Sequence, residues 1–446
     1  MVFLYLSDTC SMRSSPVHSH SDYLKSGSFI LLFSLGFGFI ADYLFNLTLS
    51  QALSSHEYGD YKVAYAFATL TSVIILLGGD RVAPRVLSGA IENKDRGYIV
   101  SFLLFYGGIA LLLSALVILT TYLGGVLHLG KTDVLGHHPL MIITFVIPLI
   151  TIGALLSRVL QSAKLLAASN LPWRIVLPAM KTCFLLLLMA TISEVAYWHV
   201  IVTGGLTVAA IVVWQWHKIR QLDLINADLS RAHTLEKHKL LSLSIPMMLA
   251  MMVTMALNQI DLFMLEMLAN EQDVGHFAAA ATTAHLLPVA QVTIAGLFLP
   301  LIGPALDNHP DSAKTLFRQA QRLIVIVTMI LTALVFAGGP WLLAFFGEGF
   351  VKAELSLNVL TAAYSIWAMS AFASTWLQYN GKGRQVMVIG VITLLTDTLA
   401  NLWLIPEMGM TGAALATCLA MFVASVLTWY QLIIMNTGKS PLQISH

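Results

Sequence analysis

YIVSFLLFYGGIALLLSALVILTTYL, residues 98–123, runs without a single Asp, Glu, Lys or Arg. Coiled as an α-helix at about 1.5 Å per residue, such a run exceeds the ~30 Å hydrocarbon core of a bilayer. It therefore reads as a membrane span. The rest of the chain agrees: mean hydropathy is +0.79, and 57% of residues are hydrophobic against 11% charged. A soluble domain carries about 25% charged residues. Working outward, twelve such segments can be drawn, at roughly 28–50, 62–80, 98–123, 139–157, 171–192, 195–216, 241–265, 275–302, 322–346, 356–379, 385–406 and 411–435. The expected fold is an all-α integral membrane protein.

The polar remainder is short. It divides the chain into a tail (1–27), a six-span bundle (28–217), a charged linker (218–240), a second six-span bundle (241–436) and a closing tail (437–446). Val2–Leu6 is too short for the apolar part of a signal peptide. Of the 24 Lys and Arg residues, twenty fall on one face of this topology. Lys62, Lys131 and Lys352 fall on the other, and Lys181 lies inside a span. This bias puts both termini on the cytoplasmic side. Net charge is +1 with no basic run, which argues against nucleic acid as a partner. Cys10, Cys183 and Cys418 are too scattered for a disulfide framework or metal site. No hydrolase motif, P-loop or dinucleotide fingerprint occurs, so neither an enzyme nor a cofactor is expected.

The halves share a plan. At an offset of 216 residues Gly59 aligns with Gly275, Ala64 with Ala280, Pro84 with Pro300 and Asp95 with Asp311. Six spans per half is an even number, so the halves are parallel repeats that enter the membrane in the same direction. Carriers built on such repeats place substrate between them and rock one against the other. Pro246, Pro288 and Pro300 are expected to kink the seventh and eighth spans, and Gly78-Gly79 reads as a termination or close packing.

Four ionisable residues fall within the apolar segments: Asp42, Lys181, Asp261 and Asp397. At mid-membrane each costs on the order of 2.5–3.5 kcal/mol on insertion scales. Such a residue faces a wet cavity, a partner or a substrate. Asp42 has Asn46 one turn on. Thr254, Asn258 and Asp261 share a face of span seven, as do Thr393, Asp397 and Asn401 on span eleven. Cavity-facing ion coupling by Asp42, Asn46, Asn258, Asp261, Asp397 and Asn401, with H+ or Na+, is one expectation. Structural pairing, including an Asp397–Lys181 ion pair, is the other.

Several motifs then resemble a known group, in order along the chain. Leu53-Ser-Ser-His-Glu-Tyr-Gly-Asp-Tyr61 resembles the first loop of oligosaccharide flippases, and Asp273-Val-Gly-His-Phe277 is similar to their VGxY stretch with Phe for Tyr. Asn258-Gln-Ile-Asp261 and Asn380-Gly-Lys382 resemble further short motifs. Leu404-Ile-Pro-Glu-Met-Gly-Met-Thr-Gly-Ala-Ala-Leu-Ala-Thr417 resembles the LIPxxGxxGAAxAT link between spans eleven and twelve. Asp397 stands where Asn is common. The group is the Wzx-like polysaccharide-exporter branch of the multidrug/oligosaccharidyl-lipid/polysaccharide (MOP) superfamily.

The resemblance implies a MATE-like fold of two six-helix bundles in the inner membrane. It implies a flippase that moves a polyprenyl-pyrophosphate-linked oligosaccharide by alternating access for cell-surface polysaccharide synthesis, with glycan-assembly proteins as partners. On that reading Lys181, Arg174 and Arg158 form a cationic ladder for phosphate, although Arg158, Lys164 and Arg174 also suit plain interfacial anchoring. The alternatives are an ion-coupled multidrug/cation antiporter, which wants an acidic or aromatic cavity, and a polytopic glycan polymerase or ligase, which wants a large outer loop.

Overall fold

A computed structural model describes residues 20–127, 139–225, 236–308 and 310–437. The expected terminal tails lie largely outside these ranges, as do residues 226–235 of the expected linker. All regular structure among the described residues is helical. In chain order it comprises α1 (His20–Ala52), α2 (Ser55–Ile75), α3 (Gly79–Glu92), α4 (Arg96–Leu127), α5 (Pro139–Ile143), α6 (Ile147–Ser162), α7 (Leu166–Leu171) and α8 (Leu177–Thr191). It continues with α9 (Tyr197–Gln221), α10 (Lys237–Leu268), α11 (Glu271–Ala284), α12 (Leu286–Asn308), α13 (Pro310–Ala344), α14 (Glu354–Tyr379) and α15 (Gly383–Thr437). Several spans are composite: α2 and α3 make the second, α5 and α6 the fourth, α7 and α8 the fifth, α11 and α12 the eighth.

α15 resolves into two spans. Its 55 residues would reach about 80 Å if straight, far more than a membrane needs. Gly409 breaks it with φ +53°. A Cβ on Gly412 would stand 2.2 Å from the Leu404 carbonyl oxygen, so the chain doubles back tightly there. Asn401 and Thr417 both donate to the Asp261 carboxylate at 2.7 Å, although a straight helix would hold them about 24 Å apart. The return limb runs parallel to α14: Ser356 meets Thr411 and Ser370 meets Ser425 at a constant offset. With the composite spans, the described residues hold ten or eleven helices long and apolar enough to cross a membrane, and a divided α15 is consistent with the expected twelve.

The second span differs from its expected limits of 62–80. It begins at Ser55, where Ser54 and Glu57 form a reciprocal cap: Ser54 N–H donates to Glu57 Oε2 (3.1 Å) and Glu57 N–H to Ser54 Oγ (3.3 Å). Lys62, expected at the outer end of this span, consequently lies two turns inside a helix. The eighth span breaks at His285, three residues before Pro288, which sits in the first turn of α12, where its missing N–H is no loss. Pro246 lies within α10. A 46° bend falls between α2 and α3 at Gly78 (φ +77°).

Burial runs opposite to a soluble bundle. Leu112, Leu206, Leu399 and Trp403 are at least 64% exposed, as suits side chains facing lipid. The interior is built from small residues such as Ala64, Ala68, Ala279 and Ala280, which let helices approach closely. The closest approach joins the two lobes. A Cβ on Gly59 would lie 2.7 Å from the Gly275 nitrogen, and one on Gly275 would lie 1.9 Å from the Ser55 carbonyl oxygen. Equivalent residues of the two repeats thus touch, and the pseudo-two-fold axis passes between them. Beside this contact, at the end where α1 finishes, aromatic rings seal the lobes. Tyr43 meets Phe346 edge-on at 5.7 Å, and Tyr58 meets Phe350 at 5.8 Å.

Gly275→Ala is expected to lower stability by about 1–3 kcal/mol, because two backbones must part to admit the methyl. Gly89→Ala, with open space around it, is expected to be neutral or stabilising. Thermal unfolding of the detergent-solubilised variants checks the difference.

Candidate substrate and ion sites

The fifth span carries the N-lobe site because its helix is irregular. Pro172–Val176 is wound as a π turn. Pro178 has no N–H to offer the Arg174 carbonyl four residues back, so regular winding fails there. Gly38 of α1 packs onto this opened backbone: a Cβ there would sit 2.9 Å from the Arg174 carbonyl oxygen. Trp173 is fixed from behind by Gln215, its indole N–H donating to Oε1 at 3.3 Å. The result is a cavity of about 260 Å³ whose wall includes Asp42, Tyr65, Trp173, Arg174 and Lys181.

Lys181 is only 8% exposed. Its ammonium lies 3.9 Å from the ring centre of Phe45, 4.8 Å from Tyr65 and 5.5 Å from Tyr61. Three aromatic faces hold a buried cation by their ring quadrupoles, and Asp42 supplies the nearby negative charge. Arg174, about two turns back along the span, lines both this cavity and a larger one of about 870 Å³ that reaches into the C-lobe past Thr254, Gln291 and Thr393.

A polar chain leads from Asp42 to the lobe interface. Asn46 Nδ2 donates to the Asp42 backbone oxygen (2.7 Å) and to Asp42 Oδ2 (3.1 Å). Its Oδ1 accepts from Tyr58 OH (3.2 Å) and Lys62 Nζ (3.0 Å). Lys62 also donates to Thr282 Oγ1 of the other lobe at 3.3 Å. Sequence reading missed Lys62. The capping signal Ser54-Ser-His-Glu57, which starts the helix before it, would have found it.

The C-lobe holds the acidic counterpart. Asp261 is 6% exposed and takes both donors named above, Asn401 and Thr417. Asp397, 2% exposed, lies within its electrostatic reach. Asp397 Oδ1 and Asn401 Oδ1 are buried acceptors with no hydrogen-bond donor. No cationic side chain among the described residues pairs with either carboxylate.

The expected site residues thus fall into two groups rather than one chamber. Asp42, Asn46, Arg174 and Lys181 gather in the N-lobe, and Asp261, Asp397 and Asn401 in the C-lobe. The alternative Lys181–Asp397 ion pair does not form, because each faces its own lobe. Arg158 stays outside the cavity wall: it donates to Gln161 Oε1 at 2.5 Å and lies near Asp80 and Arg81. Lys164 pairs with Glu92 on the surface. Asn258 is exposed, donates back to the Thr254 carbonyl and is not joined to Asp261.

A family model described as "Polysaccharide biosynthesis protein" matches residues 24–304. The chain belongs to the polysaccharide biosynthesis protein family. No curated protein matches this family member in sequence. Its fold is shared with solved transporters. An inward-facing multidrug-resistance MATE transporter of the MOP superfamily aligns with a TM-score of 0.68 at 12% identity, over 90% of this chain and 96% of that one. The outward-facing form aligns at 0.66 and 12%, over 96% and 100%. A MOP-superfamily transporter from Pyrococcus furiosus, described as having a binding pocket of reverse polarity, aligns at 0.67 and 12%, over 96% and 100%. At this identity the likeness shows the fold alone, an all-helical fold of two lobes.

Thr417→Val is expected to cost about 1–3 kcal/mol, since it leaves a buried carboxylate oxygen without its donor. Thr396→Val, an exposed hydroxyl bonded only to its own helix, is expected to change stability little. Thermal unfolding of the two variants, side by side, measures the gap.

Proposed function

We propose that the protein is a flippase for a lipid-linked oligosaccharide, carried on a polyprenyl pyrophosphate, that works by alternating access. The observation that carries this reading is the cationic wall of the N-lobe cavity, where Arg174 and Lys181 stand on one irregular helix with Asp42 opposite. Family membership supports a role in polysaccharide biosynthesis.

With both termini cytoplasmic, as the Lys/Arg bias favours, Arg174 lies nearer the cytoplasmic mouth and Lys181 nearer mid-membrane. A diphosphate entering from that side meets the Arg174 fork first, which suits phosphate oxygens two at a time. Lys181 then offers a point charge deeper in. Asp42 offsets one of the two positive charges, which leaves the empty cavity wall with a net positive charge for an anion. The lipid tail stays in the membrane while the glycan crosses between the lobes. An antiporter for organic cations would use bare aromatic faces; here Lys181 already occupies those of Phe45, Tyr61 and Tyr65.

The driving ion belongs to the C-lobe in this reading. Asp261 and Asp397 lie together with no cationic side chain between them, and such a pair takes a proton or a small cation from outside. Asn401 and Thr417 hold Asp261 in place for it.

Lys181→Met is expected to cut glycan export at least tenfold while membrane level and insertion stay unchanged, scored as surface polysaccharide against protein in isolated membranes. Export at the normal rate in that variant refutes phosphate recognition here. Asp397→Asn is expected to remove the dependence of export on the ion gradient, read as insensitivity to a proton or sodium ionophore.

A further inference from the structure

Lys62 is a cation of the polar interior that the proposed flipping cycle leaves unused. Its ammonium sits between the lobes on neutral oxygens: Asn46 Oδ1 at 3.0 Å on its own side and Thr282 Oγ1 at 3.3 Å on the other. No carboxylate reaches it within ion-pair distance, though Asp42 acts on it electrostatically. Both acceptors are committed elsewhere in a way that aims their oxygens at it. Asn46 spends its amide protons on Asp42. Thr282 gives its hydroxyl proton to the Ala278 carbonyl at 2.7 Å.

The fold does not require this lysine. At the repeat offset its counterpart in the second lobe is Ala278, and the counterpart of Asn46 is Leu262. A charge that packing does not need, held by neutral groups in a membrane interior, points to an anion that arrives from elsewhere. Asn46 also ties Lys62 to the aromatic seal. Tyr58 shares Asn46 Oδ1 with Lys62, and the Tyr58 ring lies against Phe346 and Phe350.

We propose that Lys62, which stands beside the cavity wall within electrostatic reach of Lys181, is a third anion-binding residue, parked on Thr282 while the cavity is empty, so that an incoming diphosphate takes the ammonium and releases a bond that ties the lobes beside the seal. The identity of the anion rests on the flippase reading; the tie itself does not. Loading and opening are thereby linked. The phosphate that engages Lys62 removes a cross-lobe contact, and the seal opens only behind substrate.

The competition gives two variants opposite signs. Lys62→Met removes the anion ligand, and its affinity for a short-chain polyprenyl pyrophosphate is expected to fall at least tenfold, with Lys62→Arg restoring most of it. Thr282→Val removes the competitor, together with the Thr282 bond to Tyr58, so affinity is expected to rise several-fold. A purely structural Thr282 gives no gain. Opening is read by electron-spin distances between labels at Tyr122→Cys and Leu355→Cys, with the native cysteines replaced by Ser. Wild type is expected to be closed when empty and to open with the polyprenyl pyrophosphate. Thr282→Val is expected to be open without ligand.

A Thr282→Val protein that stays closed when empty and binds no more tightly overturns the proposal. If the ligand opens wild type but Lys62→Met binds it equally well, the flippase reading stands and Lys62 is not part of the site. If Thr282→Val opens the empty protein while no pyrophosphate binds wild type, the tie is real but the anion assignment is wrong, and the flippase reading fails with it.

Discussion

A charge carried on a membrane helix has to be answered from inside the protein, because lipid offers it nothing. The interior of this chain is organised around that demand. Lys181 is answered by three aromatic faces and a carboxylate. Lys62 is answered by two neutral oxygens from opposite lobes. Asp261 is answered by an amide and a hydroxyl brought together by the hairpin at Gly409. Asp397 is answered least, with one buried oxygen left without a donor. The order matters for function. Asp397, the group answered least, is the one most open to a ligand from outside the chain.

Symmetry of backbone and asymmetry of charge then divide the labour. The repeats coincide where helices must touch, and Gly59 and Gly275 meet because only glycine allows the approach. They diverge where chemistry differs. Asp42, Asn46 and Lys62 of the first repeat face Asn258, Leu262 and Ala278 in the second. The N-lobe therefore carries cations beside a cavity, and the C-lobe a carboxylate pair. One duplicated scaffold presents two surfaces of opposite sign.

Much of the fold was legible in the sequence because its signals are local. Long uncharged runs gave the spans, Pro406, Gly409 and Gly412 gave the turn between the last two, and the glycine register gave the repeat. The miss at Lys62 has a physical cause. A hydropathy window discards the polar first turns of α2, where Glu57, Asp60 and Lys62 stand, although the helix is already capped at Ser54. The candidate site was legible only as a set of residues, not as an arrangement. That Asp397 pairs with Asp261 rather than Lys181, and that Phe45, Tyr61 and Tyr65 enclose Lys181, depends on contacts between distant segments. Composition along the chain carries no trace of them.

Keeping the cations and the carboxylates in separate lobes has a consequence for coupling. Had Lys181 and Asp397 paired, each would have neutralised the other, and neither substrate nor ion would have found an unbalanced charge to bind. Apart, each site keeps an appetite for its own ligand. The lobes then communicate through the few bonds that cross between them. Lys62–Thr282 is such a bond, and it stands beside the aromatic seal on one side and the Asp42–Asn46 chain on the other. A single hydrogen bond to a charged group is worth about 1.5–3 kcal/mol, which is the scale of free energy that typically couples two sites. On the proposed flippase reading, an ion bound in one lobe and a phosphate bound in the other need no longer path than this to sense each other. Both act on the same lobe–lobe equilibrium, and Lys62–Thr282 is one of the bonds, with Gln51–Phe345 and Tyr58–Thr282, that hold the interface at this end.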